Sequence, residues 1–259
     1  MERAGAANHR DGGEKTTHSR RLRAIITLAR SRLAGLIGEV WEHPRFGELY
    51  PEFLFAMYGA TAASAPAMRA AAARCAALEG EDSLAGWLRE YYLEHAAEED
   101  GHGEWLLGDL AALGIPRERV LERLPYPSVA ALVGSQYYWM QHVHPIAYLG
   151  YIAVLEAPTE IGYLREVSAR SGIPLSSMSC HVRHAELDPG HVAEFDAALD
   201  ALPLSARHQD LITVSAIATL GHLERVFGEI LEHFARIAHA AAAETLFTTA
   251  EPALASAAQ

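Results

Sequence analysis

The chain has 259 residues, half of them hydrophobic, with 33 acidic against 21 basic side chains and a formal net charge of −12. That length suits one large domain with a real core, and the acidic balance, with a pI of about 5.6, excludes the concentrated basic surface that nucleic acid or an anionic membrane requires. Cys75 and Cys180 are the only cysteines, too few for a disulfide framework, and they fit a reduced, cytoplasmic interior.

The opening stretch, MERAGAANHRDGGEKTTHSRRLR, lacks the apolar centre of a signal peptide and reads as a disordered polar arm over 1–20. No run reaches the roughly 18 apolar residues of a membrane span. Helices are predicted over 21–41, 51–78, 83–114, 127–142, 145–169, 175–201 and 205–240, all within one domain over 21–240. Two-residue alternation is missing throughout, so the fold class is all-α. Gly and Pro fall at the junctions HPRFGELYP, LEGEDS, LGIPRERVLERLPYP and SGIPLS, and Asp82-Ser83 offers an N-cap to the third helix. The alanine-rich end, over 241–259, reads as a flexible tail.

The third predicted helix carries the first anomaly. On a wheel of about 100° per residue, Leu88, Tyr91, His95, Glu99, His102, Leu106 and Leu113 share one sector, so ionisable groups interrupt the apolar stripe. A helix sends carboxylates to solvent unless something compensates their burial, and a divalent cation does so directly. The fifth helix closes a long apolar run on Glu156, a carboxylate in a setting that calls for a cation or a proton. In the sixth, His184, Asp188 and His191 stand at i, i+4 and i+7 on the face that Phe195, Leu199 and Leu202 extend. Together these helices offer three carboxylates and three imidazoles, a set suited to iron or manganese. Two divalent ions against three carboxylates would leave about one net positive charge, which can be buried.

The segments HAAEEDGHGEWLLGDLAALG, HPIAYLGYIAVLEA and HAELDPGHVAEFDAALDAL, in this order, resemble the haem-oxygenase-like di-iron oxidases, the iron-containing redox enzyme family. The likeness extends loosely over about residues 30–235. It implies a single-domain seven-helix bundle, haem-oxygenase-like but without haem. Carried over residue by residue, it implies metal ligation by Glu99, His102, Glu156, His184, Asp188 and His191. It implies two Fe(II) ions, with manganese as the alternative, and O2 as co-substrate. The substrate would be a small amino acid or fatty acid, changed by desaturation, C–C cleavage or N-oxygenation. His95 or Glu98 could stand in for Glu99, and Pro189 predicts a kink in the sixth helix at its own ligand. A homodimer is compatible with such bundles.

Other functions have their own requirements. A metal-free thiaminase-like hydrolase on the same fold needs a cysteine nucleophile, Cys75 or Cys180. A haem protein needs a histidine such as His43 near the first helix. Ferritin-like storage needs Glu-x-x-His twice, whereas Glu99 and His102 supply it once. A helical interaction protein with a structural metal is the non-enzymatic alternative. His142 and His144 are explained by a loop before Pro145.

Overall fold

In a computed structural model of the chain, residues 16–156 and 160–255 are described, the side chains of Asp188, Pro189 and residues 241–255 excepted. The described residues form α1 (His18–Ala29), α2 (Ser31–Trp41), α3 (Phe46–Thr61), α4 (Ser64–Ala76), α5 (Ala85–Glu98) and α6 (His102–Ala112). They continue with α7 (Arg117–Glu122), α8 (Pro127–His142), α9 (Tyr148–Leu155), α10 (Ile161–Ser171), α11 (Ser179–Ala201) and α12 (Ala206–Ala255). Short 3-10 turns at Pro145–Ala147 and Leu175–Ser177 precede α9 and α11. No strand occurs among these residues, as the sequence pattern requires.

Several predicted helices divide, each for a local reason. The first breaks at Arg30, where ψ is 0°. The second begins early, at Phe46, and contains Pro51; burial of Phe46, Leu49 and Tyr50 outweighs the single hydrogen bond that the proline removes. The third breaks at Gly101, which has φ +91°, a conformation only glycine adopts without strain. The fifth leaves helical geometry at Glu156, with φ −75° and ψ 68°, ahead of Pro158. The sixth is not terminated at Pro189: α11 continues to Ala201, anchored on either side by buried Cys180, Phe195 and Leu199.

Helix α12 is the spine of the bundle, and α1, α2, α3, α8 and α9 pack on it. Its closest approach is to α9, where a Cβ on Gly150 would lie 2.2 Å from the Ile212 carbonyl and 2.7 Å from the Ala216 nitrogen. Nothing larger than glycine fits. Around this spine α6 lies between α3 and α11, and α5 packs along α4. The core is continuous, with Leu88, Tyr92, Leu106, Leu110, Leu132, Ile146 and Phe195 all fully enclosed.

At the start, Thr17 caps α1 by accepting the Arg20 N–H, and Ser19 donates its N–H and hydroxyl to Asp200 at 2.7 and 2.8 Å. Residues 17–20, assigned to the arm from sequence, are therefore tied to the bundle. At the other end α12 runs beyond residue 240, as alanine's high helix propensity favours. Asp82 does not cap α5, whose N-cap is Leu84 without a side-chain bond; it sits two residues ahead and accepts the Leu84 N–H at 2.8 Å, which shapes the turn into the helix. Among the described residues no helix is long and apolar enough to cross a membrane.

Candidate metal centre

The corner between α5 and α6 places the first two predicted ligands. Glu99 closes α5 through its N–H to the His95 carbonyl at 2.9 Å, Gly101 turns the chain, and His102 starts α6. The two side chains thus project from a bend, not from one sector of a straight helix. Glu98 is half exposed whereas Glu99 is four-fifths covered, which selects Glu99 as the inward carboxylate. His102 is buried, 4% exposed, and lies stacked on Trp105 at 3.9 Å between ring centres.

Across from this corner, α11 presents His184, whose ring meets His102 edge-on at 5.1 Å. One potential ligand atom from each of Glu99, His102 and His184 falls within 4.8 Å of the other two. Ligand atoms bound at about 2.1 Å to one ion lie about 3 to 4.2 Å apart, so small side-chain movements would close this trio on a single ion.

The hydrogen-bond pattern supports ligation. His184 Nδ1 lies 2.9 Å from the Cys180 carbonyl; a carbonyl only accepts, so Nδ1 holds the proton and Nε2 keeps its lone pair. His102 Nδ1 is buried without a hydrogen bond, although Glu99 Oε2 is 3.3 Å away, so that contact is electrostatic. Burial pushes the Glu99 carboxyl up, but His102, His184 and His191 more than offset this and hold it below the usual carboxylate range. A buried anion beside imidazoles with available lone pairs is a donor set that a divalent ion would satisfy.

Of the remaining predicted residues, His191 and Glu156 lie more loosely toward the α5 side. His191 is half-buried, with its ring 6.5 Å from that of His95. His95 is 9% exposed, both of its ring nitrogens lack a hydrogen bond, and its ring packs on Tyr91 at 4.1 Å. Burial lowers its pKa and keeps it neutral. Glu156, at the end of α9, is half-buried and acts electrostatically on the Tyr91 hydroxyl. It is not in the close trio. The Asp188 side chain lies outside the described residues. Nearby Tyr91 and Tyr148 have buried hydroxyls without hydrogen bonds, and burial raises both pKa values, so they remain protonated.

No protein-family model and no curated protein matches the chain. Solved structures do. A domain of unknown function with a haem oxygenase-like fold from Shewanella denitrificans aligns with a TM-score of 0.73 at 22% identity, over 85% of this chain and 94% of that one. The haem oxygenase-like fold is therefore this chain's fold. A TenA homologue from Pseudomonas syringae pv. tomato aligns with a TM-score of 0.58 at 12% identity, over 90% of this chain and 99% of that one. Another, from P. horikoshii, gives 0.55 at 15%, over 83% and 98%. At these identities the likeness concerns architecture.

Within this haem oxygenase-like bundle both cysteines are buried. Burial pushes the Cys75 thiol up to about 12. Cys180 Sγ is 3.5 Å from His184 Nδ1, but that nitrogen carries its proton toward the Cys180 carbonyl and cannot act as a base in this geometry. His43 accepts the Arg45 N–H at Nδ1, 3.0 Å away, which leaves its proton on Nε2 and no lone pair for haem iron. His142 is exposed.

A second cluster has the composition of a metal site. Asp82, His144 and His208 also bring ligand atoms within 4.8 Å of one another. Here, however, His144 Nδ1 accepts the Ile146 N–H at 3.1 Å and His208 Nδ1 accepts the Ser205 N–H at 3.4 Å. Both protons are thereby placed on Nε2, and His144 donates its own to Asp82 at 2.5 Å. These side chains form a strap joining the approach to α5, the turn before α9 and the start of α12.

One residue that holds the centre together was not singled out from sequence. Asp109, on α6, is 1% exposed and accepts from Ser179 N at 2.9 Å, Ser179 Oγ at 2.6 Å and Cys180 N at 3.0 Å. The signal existed: seven residues after His102, it places an acid on the stripe of Leu106 and Leu113.

Proposed function

We propose that the chain is a non-haem di-iron oxidase that uses O2 to oxidise a small amino-acid-like or fatty-acid-like substrate. The observation that carries this reading is the tautomer of His184. Its proton is committed to the Cys180 carbonyl, so the lone pair remains on Nε2 of a ring that meets buried His102 edge-on and clusters with the ionised Glu99. Glu99, His102 and His184 would hold one ion; Glu156, Asp188 and His191 are the proposed ligands of the other. When bound, two iron(II) ions supply electrons for the reduction of dioxygen.

The chain's own part is positioning and exclusion. Trp105 covers His102 from one side and limits water at that ring. The neutral hydroxyls of Tyr91 and Tyr148, buried without hydrogen bonds, offer hydrogen bonds toward a substrate's polar end. Buried Tyr92, whose hydroxyl donates to the Pro145 carbonyl at 2.8 Å, locks α5 against the turn leading to α9 and so against Glu156.

Anaerobic titration with Fe(II) is expected to saturate near two ions per chain, and a screen of free amino acids and fatty acids is expected to find substrate-triggered oxygen uptake. Saturation below one ion, with no uptake, would overturn the reading. Chelation that abolishes cooperative unfolding while no oxygen is ever consumed would make the metal structural. Replacing Cys180 with Ser should leave oxygen uptake within about twofold, whereas a thiol-dependent hydrolase would lose all turnover.

A further inference from the structure

We infer that Asp109 is the positioning residue of the metal centre, setting the separation between His102 and His184; this rests on the metal reading above. Its carboxylate is buried in the interface of α6 and α11 and is bound entirely by the first turn of α11. Ser179 donates its N–H and hydroxyl to Oδ1, while Cys180 donates its N–H to Oδ2. Cys180 then connects this anchor to the ligand. Its N–H is held by Asp109, and its carbonyl receives the Nδ1 proton of His184.

The chain of contacts starts and ends on ligand-bearing helices. Asp109 belongs to the helix that His102 begins, two turns along the same face; two of its bonds hold Ser179 and the third holds the backbone N–H of Cys180, the residue that orients His184. If α11 slid or rotated against α6, those bonds and the His102–His184 spacing would change together. An acidic side chain at a helix start is commonplace as a cap. Here the cap is supplied from the other ligand helix, across 70 residues of sequence, so it joins the two halves of the ligand trio as well as closing a helix.

The distinction between cap and metal-site strut is testable with Co(II) alone, whose absorption reports its ligand field. Asp109→Asn keeps one oxygen acceptor but sets an amide N–H₂ against the Cys180 N–H. It is expected to weaken Co(II) binding by about 10- to 100-fold, the range for partners that orient ligands, and to shift the Co(II) bands. Ser179→Ala removes only the hydroxyl bond and leaves the Cys180 link. It should lower the melting temperature while leaving Co(II) affinity within about twofold.

Asp109→Glu keeps both acceptors but lengthens the strut by one methylene, and should also lose affinity whether or not the Asn variant folds. Wild-type affinity in either Asp109 variant, or an equal loss in Ser179→Ala, would overturn the inference. Failure of the wild-type chain to bind Co(II) would instead remove the metal reading on which it rests, and the inference with it.

Discussion

Two clusters in this molecule have nearly the same composition and opposite chemistry. Glu99, His102 and His184 form one, and Asp82, His144 and His208 the other; each combines an acid with two imidazoles whose candidate ligand atoms lie within 4.8 Å. The backbone group facing Nδ1 separates them. At His184 it is a carbonyl, which draws the proton to Nδ1 and frees Nε2. At His144 and His208 it is an N–H, which draws the lone pair to Nδ1 and commits Nε2 to carrying a proton. The first arrangement is prepared for a cation, while the second is already satisfied by its own acid.

The largest effect expected from this contrast is on metal binding. Alanine at His102 or His184 should weaken Fe(II) or Co(II) binding by more than about 100-fold, since a ligand matters more than the partners that orient it, whereas alanine at His144 or His208 should leave affinity and stoichiometry unchanged. Isothermal titration on all four variants would check this. Loss of metal in the His144 variant alone would invert the assignment.

Stability should respond in the reverse order. Replacing His144 with Ala leaves the largely covered Asp82 carboxylate with only the Leu84 N–H, so the metal-free chain should lose about 1 kcal/mol in urea unfolding. By contrast His95, whose two nitrogens are buried without hydrogen bonds, is a liability to the metal-free fold. Replacing it with Phe should raise stability by about 1 kcal/mol, while Co(II) affinity falls if His95 faces the second ion. A stabilised His144 variant or a destabilised His95 variant would contradict the comparison.

The smallest effect is the pH dependence of the strap. Burial raises the Asp82 carboxyl, but the Leu84 N–H and His144 outweigh it and hold the group below its ordinary range; its contribution is present above the unfolded pKa and is lost as pH falls through the folded one. Burial, then His144, also lowers His208, so the neutral ring is favoured in the fold. That contribution is complete above about pH 6.5 and declines as the pH drops toward the depressed value. Urea midpoints should therefore decrease from pH 7 to pH 5, and the slope should flatten in a His208→Gln variant.

Much of the site was legible because burying an acid or imidazole on an apolar stripe is costly without a partner. His95, Glu99, His102 and His184 were found that way, and the structure encloses all four to a large degree. What periodicity missed was the bend at Gly101. A wheel assumes one axis, and the left-handed glycine moves Glu99 and His102 to a corner that only a view of the chain path reveals. Asp109 was passed over for a different reason. Its three partners arrive from Ser179 and Cys180, 70 and 71 residues away, and a lone acid in LLGDLAALG carries no local indication of which helix start it meets.

From sequence alone came the all-α class, the inward-facing ionisable residues and the order of the helices that bear them, because these depend on periodicity; the junction LGIPRERVLERLPYP, by contrast, holds the short helix α7. The tertiary structure decided which acid reaches which helix end and which histidine nitrogen keeps its lone pair. These depend on backbone carbonyls and N–H groups brought together by packing. For His184 the deciding carbonyl is only four residues away, yet the choice between it and another partner is made by the ring's rotamer, which the packing of α6 against α11 sets.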